Sequence, residues 1–148
     1  MKINFKYIGD FDAPKIQTSG AAGLDLFNNE KEIRILEEGK SIVISTGFYV
    51  EIPEGYVGLV FARSSLGFKF NCTLANSVGV IDSDYRGEVK VKIHNHSDKP
   101  KMIEPNERVA QIVVVPCFNQ FTQVDELSET DRGSNGFGST GKKWWRNF

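Results

Sequence analysis

The chain has 148 residues, about the length of one domain, which argues against a second domain with its own core. Its 18 basic and 19 acidic side chains give a net charge of −1 and are scattered along the sequence, so we expect no nucleic-acid partner. A hydrophobic fraction of 40%, with 11 phenylalanines, is enough to bury a core and argues against a disordered chain.

Targeting and redox features predict a cytoplasmic protein with no membrane partner. Residues 1–10 contain no apolar signal segment, and no stretch approaches the roughly 18 apolar residues that span a bilayer. The two cysteines, Cys72 and Cys117, form neither a disulfide framework nor a CxxC metal motif. We therefore expect two reduced thiols.

Glycines and prolines punctuate runs rich in Val, Ile, Phe and Tyr, a pattern typical of an all-β protein. The most helix we expect is a turn or two with Ser64 or Ser65 as N-cap. The nearly continuous apolar run 109–115 predicts a strand covered on both faces at the centre of the protein. So many short strands predict a sandwich, jelly roll or closed barrel. We predict strands at 2–8, 24–27, 32–36, 41–51, 56–62, 72–75, 78–81, 87–94, 100–104, 108–115 and 120–126, and turns at 53–55, 82–87 and 105–107.

Composition changes sharply at residue 128, so we predict a domain at 1–127 and a flexible C-terminal arm at 128–148. Residues 128–141 contain one large apolar side chain, Phe137, and cannot order themselves by burial. Two interpretations stay open: a disordered end, or a glycine-rich lid that orders around phosphates with Phe137 as a stacking face. The basic and aromatic tail 142–148 suits either subunit packing or a weak nucleic-acid contact.

Two local patterns point to sites that the rest of the sequence does not complete. Residues 136–142 fit the GxxxxGK of a phosphate-binding P-loop, but Lys143 stands where a magnesium-binding hydroxyl belongs and too little chain follows for a helix. His94, His96 and Asp98 alternate as metal ligands sometimes do, but the chain has no further histidine. A solvated strand end is the favoured interpretation.

The segment 78–88 carries the clearest chemical signal. It places Asp82, Asp84, Tyr85 and Arg86 on a turn between two apolar strands. Such a turn can simply be a loop of residues that favour Asx-turns. It is also a rigid place to hold one carboxylate as a general base beside a ligand pocket.

Five short motifs occur in a fixed order along the chain. They are 22–26 (AGLDL), 63–66 (RSSL), 76–87 (NSVGVIDSDYRG), 107–111 (ERVAQ) and 132–141 (RGSNGFGSTG). With this ordered set the chain resembles the homotrimeric dUTPases. The resemblance implies a distorted jelly-roll β-barrel with one very short helix, Mg²⁺ as cofactor, and a homotrimer whose active sites are shared between subunits. It also implies hydrolysis of dUTP to dUMP and pyrophosphate by water attack at the α-phosphorus, which keeps uracil out of DNA and supplies dUMP for dTMP synthesis.

The resemblance assigns the nucleoside end of the substrate to the third motif. Asp82 would hold and deprotonate the attacking water. The hairpin from Asn76 to Ile81, with Gly79 inside it, would bind uracil through backbone and amide groups and reject the methyl group of thymine. The ring of Tyr85 would pack under the deoxyribose and leave no space for a 2′-hydroxyl.

The triphosphate is assigned by the same resemblance to the first, second and fourth motifs. Ser64 and Ser65 would donate hydrogen bonds, and Arg63 would add positive charge. Gln111 would be a neutral donor near the α-phosphate, and Asp25 would hold Mg²⁺ through water. Taken singly, Asp25 is equally a turn residue, Arg63 a surface ion pair and Gln111 a partner for a core backbone group.

The fifth motif supplies the lid in this resemblance. Arg132 would bind the γ-phosphate, Phe137 would stack on uracil, and the lid would be completed by Gly138, Ser139 and Thr140. The chain departs from the family pattern at two places. Ala62 stands where Pro or Gly is common, which we expect to change loop stiffness, and the tail 142–148 extends past the point where many relatives stop.

Two rival functions come from neighbouring classes. The related dCTP deaminases also carry RSSL, but they need a glutamate in the strand after the third motif, where this chain has Lys92. The other rival is a binding module that uses the nucleotide as a switch. Asp82 argues that catalysis is retained and leaves room for a regulatory protein partner in addition.

Overall fold

The computed structural model describes residues 2–136 and 139, so Phe137, Gly138, Thr140 and the tail 142–148 lie outside the described residues. The described residues are mostly strands with one short helix, which confirms the predicted all-β class. Over these residues, no helix has both the length and the apolar character needed to cross a membrane. In chain order the elements are β1 (Asn4–Tyr7), β2 (Leu24–Phe27), β3 (Arg34–Leu36), β4 (Ser41–Ile44), β5 (Phe48–Glu51), β6 (Tyr56–Ala62), α1 (Ser64–Phe70), β7 (Cys72–Leu74), β8 (Gly79–Ile81), β9 (Val91–Asn95), β10 (Lys101–Ile103) and β11 (Arg108–Pro116).

The strands form four antiparallel sheets. The largest has the order β2–β11–β6–β8, a second has the order β4–β9–β7, and β1–β5 and β10–β3 are two-stranded. β11 therefore lies inside the largest sheet, as the apolar run 109–115 predicts. Burial is complete only in its first half, because Val109, Ala110 and Ile112 are buried whereas 113–115 are half-buried.

One apolar core joins the sheets. Alternate side chains of the strands point into it, so that Val91 and Ile93 of β9 are buried while Lys92 between them is exposed. Gly58 in β6 is required by the packing, since a Cβ there would lie 2.6 Å from Ile52 Cδ1. The largest fully buried side chains include Phe48, Leu26, Leu36, Ile44, Ile93 and Ile103.

The predicted strand 41–51 is wrong as one element, because the chain leaves the sheet between β4 and β5. Gly47 has a φ of 63°, which an extended strand does not accommodate. Its N–H donates to the Glu88 carboxylate at 2.8 Å, and Thr46 Oγ1 donates to the Val89 carbonyl. These contacts with the chain before β9 replace ladder hydrogen bonds.

Two other strand predictions also differ from the structure. The predicted strand 87–94 begins only at Val91, because the residues before it bond to the break between β4 and β5. The predicted strand 120–126 is wrong. That segment pairs with no strand in the described part of the chain, and every residue from 118 to 136 is exposed.

The short helix lies where the sequence predicts it, but its N-cap residue differs from the predicted one. Arg63 is the N-cap, with extended backbone and no side-chain capping bond, so the N-cap role predicted for Ser64 or Ser65 is wrong. Both serines lie in the first turn instead. The helix ends at Asn71, whose φ is 50° and whose N–H donates to the Gly67 carbonyl at 3.0 Å. Its seven residues are about two turns.

Candidate active site

Three strands of the largest sheet bring Asp25, Arg63 and Gln111 together. Gln111 on β11 is paired with Asp25 on β2 and, on its other side, with Phe61 on β6. Directly opposed residues place their side chains on the same face of a sheet. Arg63 follows β6 by one residue, and its Nε lies 3.0 Å from Asp25 Oδ1. Three motifs that are distant in sequence thus form one group, the Asp25 cluster.

Arg108 completes the Asp25 cluster and was not assigned from the sequence. Its Nη1 lies 3.1 Å from Asp25 Oδ2, so two guanidinium groups flank one carboxylate whose side chain is 13% exposed. The turn before Arg108 is fixed by Glu107, which binds Lys101 Nζ at 2.8 Å and accepts from the Glu104 N–H at 2.9 Å. The sequence feature that could have identified Arg108 as a site residue is its position inside the fourth motif.

The start of α1 offers hydrogen-bond donors next to this cluster. Ser64 is exposed and Ser65 is half-buried, and neither hydroxyl makes a hydrogen bond within the described residues. The first backbone N–H groups of a helix also lack intrahelical partners. Because Arg63 precedes these serines directly, hydroxyl and amide donors stand beside a guanidinium group.

The predicted hairpin 76–81 is wrong, because β7 pairs with β9 and β8 pairs with β6, so the two strands lie in different sheets. The segment that joins β7 to β8 still shapes a concave surface from the predicted uracil-binding residues. Its turn closes with the Ser77 N–H donating to the Leu74 carbonyl at 3.0 Å, and Ser77 has a φ of 62°. Gly79 approaches β6 closely, since a Cβ there would lie 3.1 Å from Val60 Cβ. Asn76, Gly79 and Ile81 line the same concavity. The structure therefore brings these three predicted residues together.

Asp82 follows β8 directly and is exposed. Its backbone carbonyl accepts the Tyr85 N–H at 3.2 Å, but its carboxylate makes no hydrogen bond or ion pair with any described residue. It lines a second concavity with Tyr56, Arg86 and Cys117. The Asp82 carboxylate is therefore open to a ligand in this concavity.

Tyr85 is held over the loop that follows Asp82. Its hydroxyl donates to the Glu88 carbonyl at 3.0 Å, and its ring packs so close to Gly87 that a Cβ there would lie 2.3 Å from the hydroxyl oxygen. The side chain is still 43% exposed. Gly87 and Glu88 therefore position an aromatic face that remains open to a ligand, and the sequence did not single out either residue.

Within one chain, Asp82 and the Asp25 cluster lie at different ends of β6. Ile81, next to Asp82, is paired with Gly58, whereas Arg63 lies five residues further along the chain. At about 3.3 Å per residue, these positions are separated by about 17 Å. The chain alone does not bring its predicted base and its predicted phosphate-binding arginine together.

The described part of the arm stands apart from both groups. Arg132 is exposed, and its Nε donates to the Asn135 carbonyl at 3.0 Å in a turn that includes Gly133 at a φ of 51°. Ser139 is also exposed. In residues 2–136 and 139, no hydrogen bond or ion pair joins Arg132 to Asp25 or Asp82. Phe137, Gly138 and Thr140 lie outside the described residues.

The described residues offer few metal ligands. The described ranges contain no group of three His, Cys, Asp or Glu side chains that could hold an ion. His94 and His96 contact each other, with ring centroids 4.3 Å apart, and bind the hydroxyls of Ser41 and Thr73. Asp25 has acceptor capacity left, because a carboxylate has about four acceptor positions and its two arginines use two.

Comparisons with known proteins agree with these motifs. The dUTPase family model matches residues 10–141. The deoxyuridine 5′-triphosphate nucleotidohydrolase of Escherichia phage T5 is 47% identical over 137 residues, covering 88% of this chain and 92% of the relative. That of Desulfitobacterium hafniense (strain DSM 10664 / DCB-2) is 44% identical over 146 residues, covering 95% and 97%.

Solved structures give the same result. A variant of the Staphylococcus phage 80alpha dUTPase superposes with a TM-score of 0.83 at 30% identity, covering 93% of this chain and 98% of that chain. Another variant, with dUpNHpp, gives 0.82 at 29% identity, covering 95% and 99%. The matched relatives are nucleotide hydrolases. The chain belongs to the dUTPase family, and its jelly-roll-like β fold confirms the predicted architecture.

Proposed function

We propose that the chain hydrolyses dUTP to dUMP and pyrophosphate by attack of water on the α-phosphorus. The observation that carries the proposal is the exposed carboxylate of Asp82, which directly follows a segment whose Asn76, Gly79 and Ile81 line one concavity. Membership of the dUTPase family supports it. The reaction keeps uracil out of DNA and supplies dUMP for dTMP synthesis.

The nucleoside end of dUTP binds at residues 76–81 and the loop after them. Backbone and amide groups between Asn76 and Ile81 bind uracil, and a 5-methyl group would overpack the concavity that these residues line. Tyr85 packs under the deoxyribose with its ring fixed by its hydroxyl. Asp82 accepts a proton from the water as it attacks.

The triphosphate binds at the Asp25 cluster and the start of α1. Arg63 offsets phosphate charge, Ser64 and Ser65 donate hydrogen bonds, and Gln111 donates near the α-phosphate. The exposure of Ser64 and the placement of Gln111 opposite Asp25 support these roles.

The arm closes over the bound nucleotide. Arg132 binds the γ-phosphate and Phe137 stacks on uracil, while Gly138, Ser139 and Thr140 supply backbone and hydroxyl donors. The exposure of Arg132 and the fifth motif support this role. Closure excludes bulk water from the reacting phosphate.

Asp25 would hold Mg²⁺ through water. Mg²⁺ dehydrates reluctantly and is commonly bound by one or two carboxylates plus substrate phosphates, which fits a single carboxylate with free acceptor positions. An ion bound there would supply positive charge to offset that of the leaving pyrophosphate. Arg63 and Arg108 hold the Asp25 carboxylate in the orientation that this role needs.

The active sites are shared between the subunits of a homotrimer. About 17 Å of β6 separates the vicinity of Asp82 from Arg63 in one chain, which supports a site that takes these groups from different subunits. Sedimentation should give a trimer, and a stable active monomer would contradict the proposal. Mixing arm-deleted chains with an Asp82→Asn variant should restore some activity, because some shared sites then receive both intact parts.

Pyrophosphate release from dUTP, dTTP, dCTP, dATP, dGTP and UTP in the presence of Mg²⁺ tests the activity. We expect dUTP to be the one efficient substrate, because residues 76–81 reject thymine and Tyr85 rejects ribose. Comparable kcat/KM for dTTP or UTP would overturn the proposal. Deamination of dCTP would instead favour the rival enzyme class, against which Lys92 on β9 argues.

Compartment and partners are proposed more broadly. The unpaired thiols of Cys72 and Cys117 support a cytoplasmic location. A regulatory protein partner is a second candidate, because the similar phage 80alpha dUTPase is described as controlling transfer of virulence genes. A pull-down with and without nucleotide tests it, since a switch requires different partner affinity in the two states. Equal capture in both states would contradict a switch.

A further inference from the structure

The aromatic face of Tyr85 depends on one backbone carbonyl. The Tyr85 hydroxyl donates to the Glu88 carbonyl at 3.0 Å, three residues further along the chain. No other side-chain hydrogen bond of Tyr85 occurs among the described residues. The direction of the Glu88 carbonyl therefore sets where the ring lies, and Gly87 leaves the space for it.

The Glu88 side chain is anchored on the far side of the same loop. Its Oε1 accepts hydrogen bonds from the Ser45 hydroxyl and, at 2.8 Å, from the Gly47 N–H, both in the break between β4 and β5. Its Oε2 lies 3.5 Å from Lys90 Nζ, and the side chain is only 14% exposed. This carboxylate thus ties the loop that carries Tyr85 to a separate part of the fold.

The next residue is anchored too, which fixes the orientation of the peptide group between them. The Val89 N–H donates to the Phe48 carbonyl at 2.8 Å, and the Val89 carbonyl accepts from Thr46 Oγ1. The Val89 N–H belongs to the same peptide plane as the Glu88 carbonyl. With the Glu88 side chain also bound, that plane is held at both ends, and its carbonyl is aimed at Tyr85.

We propose that Glu88 is a positioning residue that sets discrimination between deoxyribose and ribose. It acts through the carbonyl that orients Tyr85, and it touches no substrate. The inference rests on the proposed function, in which Tyr85 packs under the sugar. Rejection of one hydroxyl by packing gives only about 10²-fold discrimination and requires that the Tyr85 ring stay in place. Without the Glu88 hydrogen bonds, the ring can move and leave space for the 2′-hydroxyl of UTP.

The test compares kcat/KM for dUTP and UTP in Glu88→Ala, Glu88→Gln and the control Glu38→Ala. Glu38 is exposed and makes no side-chain hydrogen bond or ion pair in the described chain. We expect Glu88→Ala to lower the dUTP/UTP ratio about tenfold, mainly through faster use of UTP. Glu88→Gln keeps an acceptor oxygen for Ser45 and Gly47, so it should retain most of the ratio.

An unchanged ratio in a folded Glu88→Ala variant overturns the positioning role. The same holds if Glu88→Gln loses discrimination as fully as Glu88→Ala, since the acceptor oxygen would then be irrelevant. Ser45→Ala removes one of the two donors and should shift the ratio in the same direction by a smaller factor, which gives a readout if Glu88→Ala does not fold. Failure of the proposed function is distinguishable, because wild-type protein would then show no preferred hydrolysis of dUTP.

Discussion

The substitution Asp82→Asn should lower the catalytic rate without changing the stability of the fold. The substitution keeps the size of the side chain and removes its basic oxygen. Asp82 is exposed, and its carboxylate has no hydrogen bond or ion pair in the described structure, so no folded contact is lost. Exposed substitutions of this kind change stability by about 0.5 kcal/mol or less. The melting temperature should therefore move by no more than about 2 °C in a chain of this size.

The expected catalytic loss is much larger. General-base catalysis contributes typically about 10²- to 10⁴-fold, and each factor of ten equals about 1.36 kcal/mol of activation free energy. Kcat should thus fall by an amount equal to about 3 to 5 kcal/mol. Substrate affinity should change far less, because the base acts in the transition state. Steady-state pyrophosphate release from dUTP measures kcat, and equilibrium binding of a non-hydrolysable dUTP analogue measures affinity.

Asp84→Asn is the matched control. Asp84 is exposed, lies two residues away and lines the same concavity as Asp82, so it experiences the same loop and a similar change of charge. We expect it to retain kcat within a few-fold. If Asp82→Asn keeps nearly full kcat, Asp82 is not the base. If both variants lose activity equally, the effect comes from loop charge, and Asp25 becomes the carboxylate to test next.

Three further outcomes are expected. Deleting residues from Ser134 onward should leave the melting temperature nearly unchanged, because the described part of that segment is exposed. The same deletion should lower kcat strongly, because the lid is lost, and a wild-type kcat would contradict a lid. Burial disfavours the ionised form of Glu88, but hydrogen bonds from Ser45 and Gly47 outweigh this effect and lower the pKa of its carboxyl group. The stability that ionised Glu88 contributes is therefore present above its unfolded pKa and is lost as pH falls through its folded pKa. In urea unfolding, the free energy of unfolding of the wild type should fall below about pH 5, and that of Glu88→Gln should depend less on pH. Burial raises the pKa of the Cys72 thiol, so a disulfide reagent should modify half-buried Cys117 first, and equal rates would refute this.

Local patterns were sufficient wherever a strand has strong flanking signals. The predicted bounds of β2 and β6 agree with the structure to the residue, because a short run rich in apolar residues ends at polar residues in both. The segment 120–126 shows the limit. Its side chains are typical of a strand, but a strand also requires a partner, and none of the described strands pairs with it. The local sequence pattern does not determine whether a segment finds a strand to pair with.

The candidate site likewise has features that the sequence predicts and others that depend on how the strands pair. Residue types placed Asp82 and Tyr85 on a turn suited to a general base, and the resemblance to the dUTPases added Asp25 as a candidate. The sequence could not indicate that Arg108 flanks Asp25, because that contact joins residues 83 positions apart and depends on the register of β11 against β2. Nor could it place Asp82 and Arg63 toward different ends of β6, which is again a matter of register.

The interior position of β11 governs when a newly made chain can become an enzyme. β2 and β6 do not pair with each other, and both pair with β11, which begins only at Arg108. During synthesis at about 5–20 residues per second, the largest sheet therefore lacks its joining strand until late in translation. A chain that stops before residue 108 leaves the β2 and β6 edges that pair with β11 without a partner, so we expect it to show no activity.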